Sequence, residues 1–290
     1  TYDPESKRYI VAFLHGEQYD DSTNLKLILL DLDGSQVGNE KTLPQENFEL
    51  LSPYICYVPD KTVGAPPKAR FFFIARGWIS AVKRRGIISI FLDANGNAIG
   101  QVAFSIEELL VDNKIPMHEP QGLIPSGDNK GFLIICKRRE YTQDILKPTV
   151  IRLKGNAKYE HHINLSSEEP LYKSMSIQQV SKKKFAVAWA DEKTYRFWVS
   201  IVRNNARKAK TAKLVSEQPS CSGDFEDPST AFCHPEGMKR ANLFFIGSSS
   251  DTSIYRTQIK KNGKTKNHEQ LSLWSGNEWD PYMGFNRWFA

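Results

Sequence analysis

A unit of about 58 residues recurs five times along this chain of 290 residues, and this repetition limits the possible folds more than any other feature. Each unit contains a short run of apolar residues bounded by polar ones. The five runs are residues 10–13, 71–74, 132–135, 185–189 and 243–246. Their length and their β-branched and aromatic content predict strands. The chain is therefore expected to repeat one small β-unit from end to end.

Turn signals around each run complete the unit. A second strand follows and ends in a turn that begins at Asp31, Asp93, Lys154, Arg203 or Lys261, where Gly or Asn supplies positive φ. An X-Pro pair precedes four runs and is expected to open a further strand: Ser52-Pro53, Glu119-Pro120, Glu169-Pro170 and Asp227-Pro228. About four strands per unit predict an all-β chain, a single five-bladed β-propeller of four-stranded antiparallel blades.

Closure of the predicted ring involves both ends of the chain. The first unit lacks an X-Pro strand, whereas Asp280-Pro281 stands near the C-terminus with no full unit behind it. We expect residues 277–290 to supply the closing strand of blade 1, with residues 281–285 beside residues 10–13. The blades would then span about residues 1–50, 51–115, 116–168, 169–220 and 221–276. The alternative is a longer propeller whose sixth blade begins here.

A resemblance accompanies this pattern. The cadence F-x-V-A-W … D-x-x-G-N resembles the degenerate blades of secreted propeller proteins and covers almost the whole chain. It implies a propeller fold and favours a secreted or cell-surface location, although the sequence itself leaves the compartment unknown. Motifs of the WD40, kelch and sialidase families are absent from the sequence.

Acidic residues of the X-Pro pairs are the first candidate site. Propeller topology would bring Glu119, Glu169, Asp227 and Asp280 to the mouth of the central channel. Carboxylates converging there are able to act as an acid/base pair on a glycoside or to hold a structural or axial cation. An acidic residue before Pro is also typical of an ordinary turn. No cofactor and no metal site are predicted.

Basic and aromatic residues form the second candidate site. Sorting loops by the two rims of a propeller places most Lys and Arg on one rim and most Asp and Glu on the other. The predicted binding residues are Lys182, Lys183, Lys184, Arg207 and Lys208 on the basic rim, and Arg76, Trp78, Lys83, Arg84 and Arg85 on the opposite rim. A basic rim attracts anionic partners, but Lys in exposed turns also protects strand edges. Aromatic residues are absent from the turns of the basic rim, which argues against nucleic acid as the partner.

Three further expectations concern single segments. Cys56 and Cys136 lie in apolar runs and should be buried free thiols, whereas Cys221 and Cys233 leave the question of a disulfide open. Residues 105–111 are expected to form a helical turn in a loop. The apolar runs are too short for a transmembrane helix.

The sequence thus predicts a non-catalytic interaction module that binds a protein or glycan partner through its rims. The alternative is an enzyme resembling a five-bladed glycoside hydrolase, with Glu119, Asp227 and Asp280 as its carboxylates. Partner identity and oligomeric state are not encoded.

Overall fold

The computed structural model describes residues 1–15, 24–43, 49–79, 84–108, 117–139, 146–165, 172–191, 196–215, 230–233, 240–247 and 253–273. Within these ranges all regular structure is β-strand and no helix occurs. The predicted all-β class is therefore confirmed. The closing strand, residues 277–290, and the pairs Glu169-Pro170 and Asp227-Pro228 lie outside the described residues, as does Cys221.

Twenty strands form five four-stranded sheets in the described part of the chain. The first two sheets consist of β1 (Tyr2–Asp3), β2 (Arg8–His15), β3 (Asn24–Leu30) and β4 (Lys41–Thr42), then β5 (Glu49–Tyr57), β6 (Phe71–Ile79), β7 (Arg84–Leu92) and β8 (Ala98–Glu108). The third consists of β9 (Met117–Pro125), β10 (Gly131–Arg139), β11 (Leu146–Lys154) and β12 (Tyr159–Asn164). The last two consist of β13 (Tyr172–Ser181), β14 (Lys184–Asp191), β15 (Phe197–Arg203) and β16 (Lys213–Leu214), then β17 (Thr230–Cys233), β18 (Ala241–Gly247), β19 (Ser253–Ile259) and β20 (Thr265–Leu273).

Each sheet is a meander in which consecutive strands lie side by side and run antiparallel. The five predicted apolar runs form the second strand of each sheet. In an antiparallel meander the first and third connections lie at the same end of the sheet. This rule decides which loops share an end in each sheet.

The chain divides into two compact units. The first unit comprises residues 1–134, 138–143 and 151–161, and the second comprises residues 135–137, 144–150 and 162–290. Both units contain an apolar core between neighbouring sheets. Ile10, Leu27, Phe71 and Phe73 belong to the first core.

The second core contains Ala188, Val199, Ile201, Leu243 and Phe245, which join the sheet β13–β16 to the sheet β17–β20. Alternate residues of these strands point into the core, as the two-residue period of a strand requires. Packing of this kind fixes the turns at the strand ends relative to one another within each unit.

Cysteines in the apolar strands behave as predicted. Cys56 and Cys136 are both free and buried. Burial raises the pKa of the Cys56 thiol, because the thiolate would lose its hydration. Cys56 is consequently a small core residue rather than a reactive one.

The X-Pro pairs occupy different positions from those expected. Ser52-Pro53 lies in the middle of β5 and Glu119-Pro120 lies inside β9, whereas both were predicted to open a strand. Each strand is at the edge of its sheet, where a missing N–H interrupts no ladder. The register of β5 shifts between Leu51 and Tyr54, and Ser52 has a φ of 52°. The first pair therefore forms a bulge.

Two other expectations are wrong. The first sheet has its own short first strand, since β1 pairs Tyr2 with Tyr9 and Asp3 with Arg8. Residues 105–108, expected in a helical turn, belong to β8 instead. Ser105 donates a buried hydrogen bond to Ser89 on β7, and pairing with a neighbouring strand overrides the local helical preference.

A single type of tight turn joins the third and fourth strands of all five sheets. In each case the residue that starts the turn accepts a hydrogen bond from the residue three positions later, as from Gly34 to Asp31 and from Gly263 to Lys260. That later residue is Gly34, Gly96, Ala157, Ala206 or Gly263, and its φ lies between 51° and 84°. The glycine turns confirm the predicted positive φ, and two alanines adopt the same conformation.

Gly34→Ala is expected to lower the free energy of unfolding by about 1 kcal/mol, because an L-residue is strained at positive φ. Open space surrounds Gly34, so no clash contributes. Gly34→Asn should lower it less, since Asn tolerates this region. Urea denaturation of the two variants tests the difference, and equal values would contradict it.

Candidate functional site

Three basic turns meet at one end of the second unit. They are residues 182–184 between β13 and β14, residues 203–210 between β15 and β16, and residues 260–266 between β19 and β20; we call them the basic turns. The backbone N–H of Asn204 donates to the carbonyl of Lys183 at 3.1 Å, which joins the first two. A Cβ built on Gly263 would lie 3.0 Å from Cγ1 of Ile201, at the end of β15. The third turn therefore lies against the second.

Charge in the basic turns is of one sign. They contain eleven Lys or Arg residues and no Asp or Glu. Most of these side chains are exposed, including Lys182, Lys183, Lys208, Lys261 and Lys264. Among the described residues of the second unit, the carboxylates are Asp191, at the opposite end of β14, and Glu269, which pairs with Arg256. The Lys and Arg side chains of the basic turns repel one another, and no acid in these turns reduces that repulsion.

Backbone geometry holds the basic turns in place. The side-chain oxygens of Asn205 and Asn262 accept from the backbone N–H groups of Arg207 and Lys264, at 3.2 and 3.1 Å. Ala206 is fully buried beneath its turn. The cations are therefore carried by turns whose backbone is fixed before any partner arrives.

A largely buried Arg of the first unit is neutralised by acids. Arg70, which loop sorting places among the exposed rim charges, is 12% exposed and forms ion pairs with Asp3, Glu5 and Asp60 at 2.5, 2.5 and 2.6 Å. Its guanidinium also lies 5.4 Å from the ring centroid of Tyr57. Arg70 is thus a structural residue rather than part of a binding surface.

Arg152 has a similar role in the third sheet. Its side chain is 4% exposed and pairs with Asp128 and Glu160, both at 3.0 Å. Burial acts to raise the pKa of Asp128, but hydrogen bonds from Ser126, the Lys130 N–H and Arg152 outweigh it, so the pKa is lowered. Two largely buried Arg residues of the first unit are therefore neutralised by acids, whereas most cations of the basic turns are exposed.

Arg76 and Arg85, two predicted binding residues, belong to a second cluster in the first unit. They occupy β6 and β7 on one sheet face, two residues apart in register. Nε of Arg85 lies 3.2 Å from Oε2 of Glu108, whose side chain is fully buried. Oε1 of Glu108 accepts from the His118 N–H and lies 3.0 Å from His118 Nδ1.

Burial and three neighbouring charged side chains act on the pKa of Arg85. Burial lowers its pKa, and so do the charges of Arg76 and Arg139, whereas Glu108 opposes them. In the strand register, Trp78 lies opposite Arg85 on one side and Glu49 on the other, and Arg84 begins β7. The side chains of Trp78 and Arg84 lie outside the described part, as does all of Lys83. The described cluster joins two sheets through the buried hydrogen bond from the His118 N–H to Glu108.

The carboxylates of the predicted catalytic alternative are described in part. Oε1 of Glu119 accepts from Gln121 at 3.1 Å, and burial together with the charge of Glu119 raises the pKa of Tyr54 to about 12. Asp227 and Asp280 lie outside the described residues. The grouping of the three carboxylates remains a prediction.

Sequence reasoning missed the acids that neutralise the first unit. Asp3 ends β1, Glu5 lies in the turn that follows, and Asp60 lies in the loop between β5 and β6. Nothing in their local sequence links them to Arg70. A signal did exist for Glu108, because it stands directly opposite Arg85 once residues 105–108 are taken as strand.

The remaining features of the described residues concern metal ligands and membrane-spanning helices. No group of three His, Cys, Asp or Glu in these residues is placed to hold a metal ion. They also include no helix with the length and hydrophobicity needed to cross a bilayer.

Comparison with known proteins bears on the fold. No family model matches the sequence, and no curated protein matches it. Similar solved structures include hydrazine synthase of Kuenenia stuttgartiensis, with a TM-score of 0.51 and 12% identity over 88% of this chain and 65% of that one. An exo-β-1,3-galactanase from Phanerochaete chrysosporium has a TM-score of 0.46 and 10% identity over 90% and 54%. The Dos1 propeller has a TM-score of 0.43 and 10% identity over 90% and 57%.

This chain spans less than two thirds of the length of each of these three proteins. At such identities the likeness concerns the fold alone.

Proposed function

We propose that the protein is a non-catalytic interaction module that binds an anionic partner, a protein or a glycan, through the three basic turns. Its five sheets would be the blades of one propeller. The observation that carries the proposal is the contrast between the two units. Arg70 and Arg152 of the first unit are paired with acids, whereas the basic turns contain eleven cations and no acid.

Electrostatics gives this contrast a consequence for binding. A surface of one sign raises the local concentration of oppositely charged partners and orients their approach. Each exposed charge contributes little to folding, so eleven cations in turns are tolerated without being required for stability.

Charge reversal tests the proposal. We expect the full chain to bind at least one of three soluble polyanions, namely poly-L-glutamate, heparin and duplex DNA, with affinity that falls steeply as salt rises. The quadruple variant Lys182→Glu, Lys208→Glu, Lys261→Glu and Lys264→Glu should bind at least about tenfold more weakly, because it replaces attraction by repulsion. Fluorescence anisotropy at two salt concentrations measures both effects.

A matched control separates a local site from net charge. The variant Lys7→Glu, Lys61→Glu, Lys68→Glu and Lys130→Glu changes net charge equally, at exposed lysines of the first unit. It should retain most of the affinity. Failure of all three polyanions to bind, or equal losses in the two variants, would overturn the proposal.

A further inference from the structure

The residue types that accompany the cations of the basic turns indicate which class of anion binds there. The basic turns contain no aromatic residue and no Val, Ile, Leu or Met. Of their two alanines, Ala206 is fully buried and Ala209 is half-buried, so they offer little apolar contact surface. Protein interfaces place aromatic and aliphatic anchors in a desolvated centre, with charge at the margin. The basic turns carry the charges typical of an interface margin but lack the apolar anchors of an interface centre.

Nucleic acid is also poorly matched. Single strands bind where bases stack on aromatic side chains, which the basic turns do not contain. Sequence-specific duplex contacts use Arg or Lys in the major groove, carried by a helix or a two-stranded ribbon that enters it, and the planar fork of Arg is better suited than Lys to bidentate contacts. Of the eleven cations nine are Lys, and only Arg203 and Arg207 are Arg.

Lysine-rich turns suit discrete anionic groups spaced along a polar chain. The ammonium group is a compact point charge on a flexible stem, and it adapts to sulfate groups at irregular spacing. The fixed backbone of the basic turns keeps the stems in one region, which lowers the ordering cost of binding. Several cations can then contact several sulfates at once.

We infer that the partner of the basic turns is a linear sulfated polysaccharide of the heparin class. This inference rests on the proposed function and adds the chemistry of the ligand. Sulfate supplies the charge, and the polysaccharide chain requires none of the apolar anchors that the basic turns lack.

Four probes of defined chemistry test it on the full chain: heparin, heparin stripped of its sulfates, poly-L-glutamate and duplex DNA. Calorimetry at physiological salt should give heparin the tightest binding, by about tenfold or more over each of the others. Desulfated heparin keeps its carboxylates and should lose most of the affinity. The quadruple reversal of Lys182, Lys208, Lys261 and Lys264 should remove heparin binding, and the first-unit control should keep it.

The outcomes distinguish this inference from the proposed function. If poly-L-glutamate, desulfated heparin or duplex DNA binds as tightly as heparin and is equally sensitive to the reversals, the basic turns remain a binding site and the sulfated ligand is wrong. If heparin binds equally well to the quadruple reversal and to the control, or if no probe binds, both conclusions are overturned.

Discussion

Gly155→Ala is expected to lower the free energy of unfolding by about 3 kcal/mol or more, because backbone atoms would have to move. Gly155 lies in the turn between β11 and β12, against the loop that joins β5 and β6. A Cβ at this position would lie 2.1 Å from the carbonyl oxygen of Val63 and 2.9 Å from its carbonyl carbon. The backbone N–H of Val63 is held by the carbonyl of Asn129 at 2.8 Å, so the loop cannot retreat without losing that hydrogen bond.

Urea denaturation measures this loss, with an unchanged slope indicating that stability alone has changed. Gly34→Ala is the control, since its added methyl meets open space and only the backbone conformation is strained. A Gly155→Ala variant that is no less stable than Gly34→Ala would show that the turn and the loop are not in contact.

The strands were predictable because each is marked by a local sequence pattern. An apolar run of four or five residues, bounded by turn residues, needs a sheet on either side to bury it. The five runs accordingly became β2, β6, β10, β14 and β18. Asp-Gly and Asn-Gly turns were predictable for the same reason, because positive φ restricts the residue type.

Pro53 and Pro120 show where local prediction stops. Each was expected to begin a strand, and each lies within one. Proline excludes the centre of a sheet, but it does not distinguish the start of an edge strand from a bulge within it. Only the register of β5 against β6 settles the position of Pro53.

The candidate site was predictable as a list of cations but not as a surface. The sequence shows which turns contain Lys and Arg, and the antiparallel meander places alternate connections at one end of a sheet. It does not show which cations are neutralised by distant acids. Arg70 and Lys182 both lie in first connections of their sheets, and only the pairing of Arg70 with Asp3 and Glu5 across the first unit separates a structural residue from a candidate binding residue.

The pairing of Arg70 with Asp3 predicts a second large loss of stability. Arg70→Met is expected to lower the free energy of unfolding by about 3 kcal/mol at neutral pH, because it leaves the buried carboxylate of Asp3 without its cation. Asp3 has no exposed side-chain surface and accepts two hydrogen bonds from Arg70, at 2.5 and 3.2 Å. Ser6 and the Glu5 N–H donate to it as well.

The pH dependence of this loss has a definite sign. Burial acts to raise the pKa of Asp3, but the hydrogen bonds from Arg70, Ser6 and Glu5 outweigh it and the pKa is lowered. A lowered carboxyl pKa gives stability that is present above the unfolded value, near 3.9, and is lost as pH falls through the folded value. The difference between wild type and Arg70→Met should therefore be greatest at neutral pH and should shrink below about pH 4.

Arg8→Met provides the matched control for Arg70→Met. Arg8 and Asp31 are 3.8 Å apart with 32% and 54% of their side chains exposed, so their pair should contribute less than about 1 kcal/mol at any pH. Arg70→Lys keeps the charge but loses the fork that reaches Asp3, Glu5 and Asp60 together, and it should fall between the two. If Arg70→Met were no more destabilising than Arg8→Met, or if its effect grew in acid, Arg70 would be a surface charge rather than a structural residue.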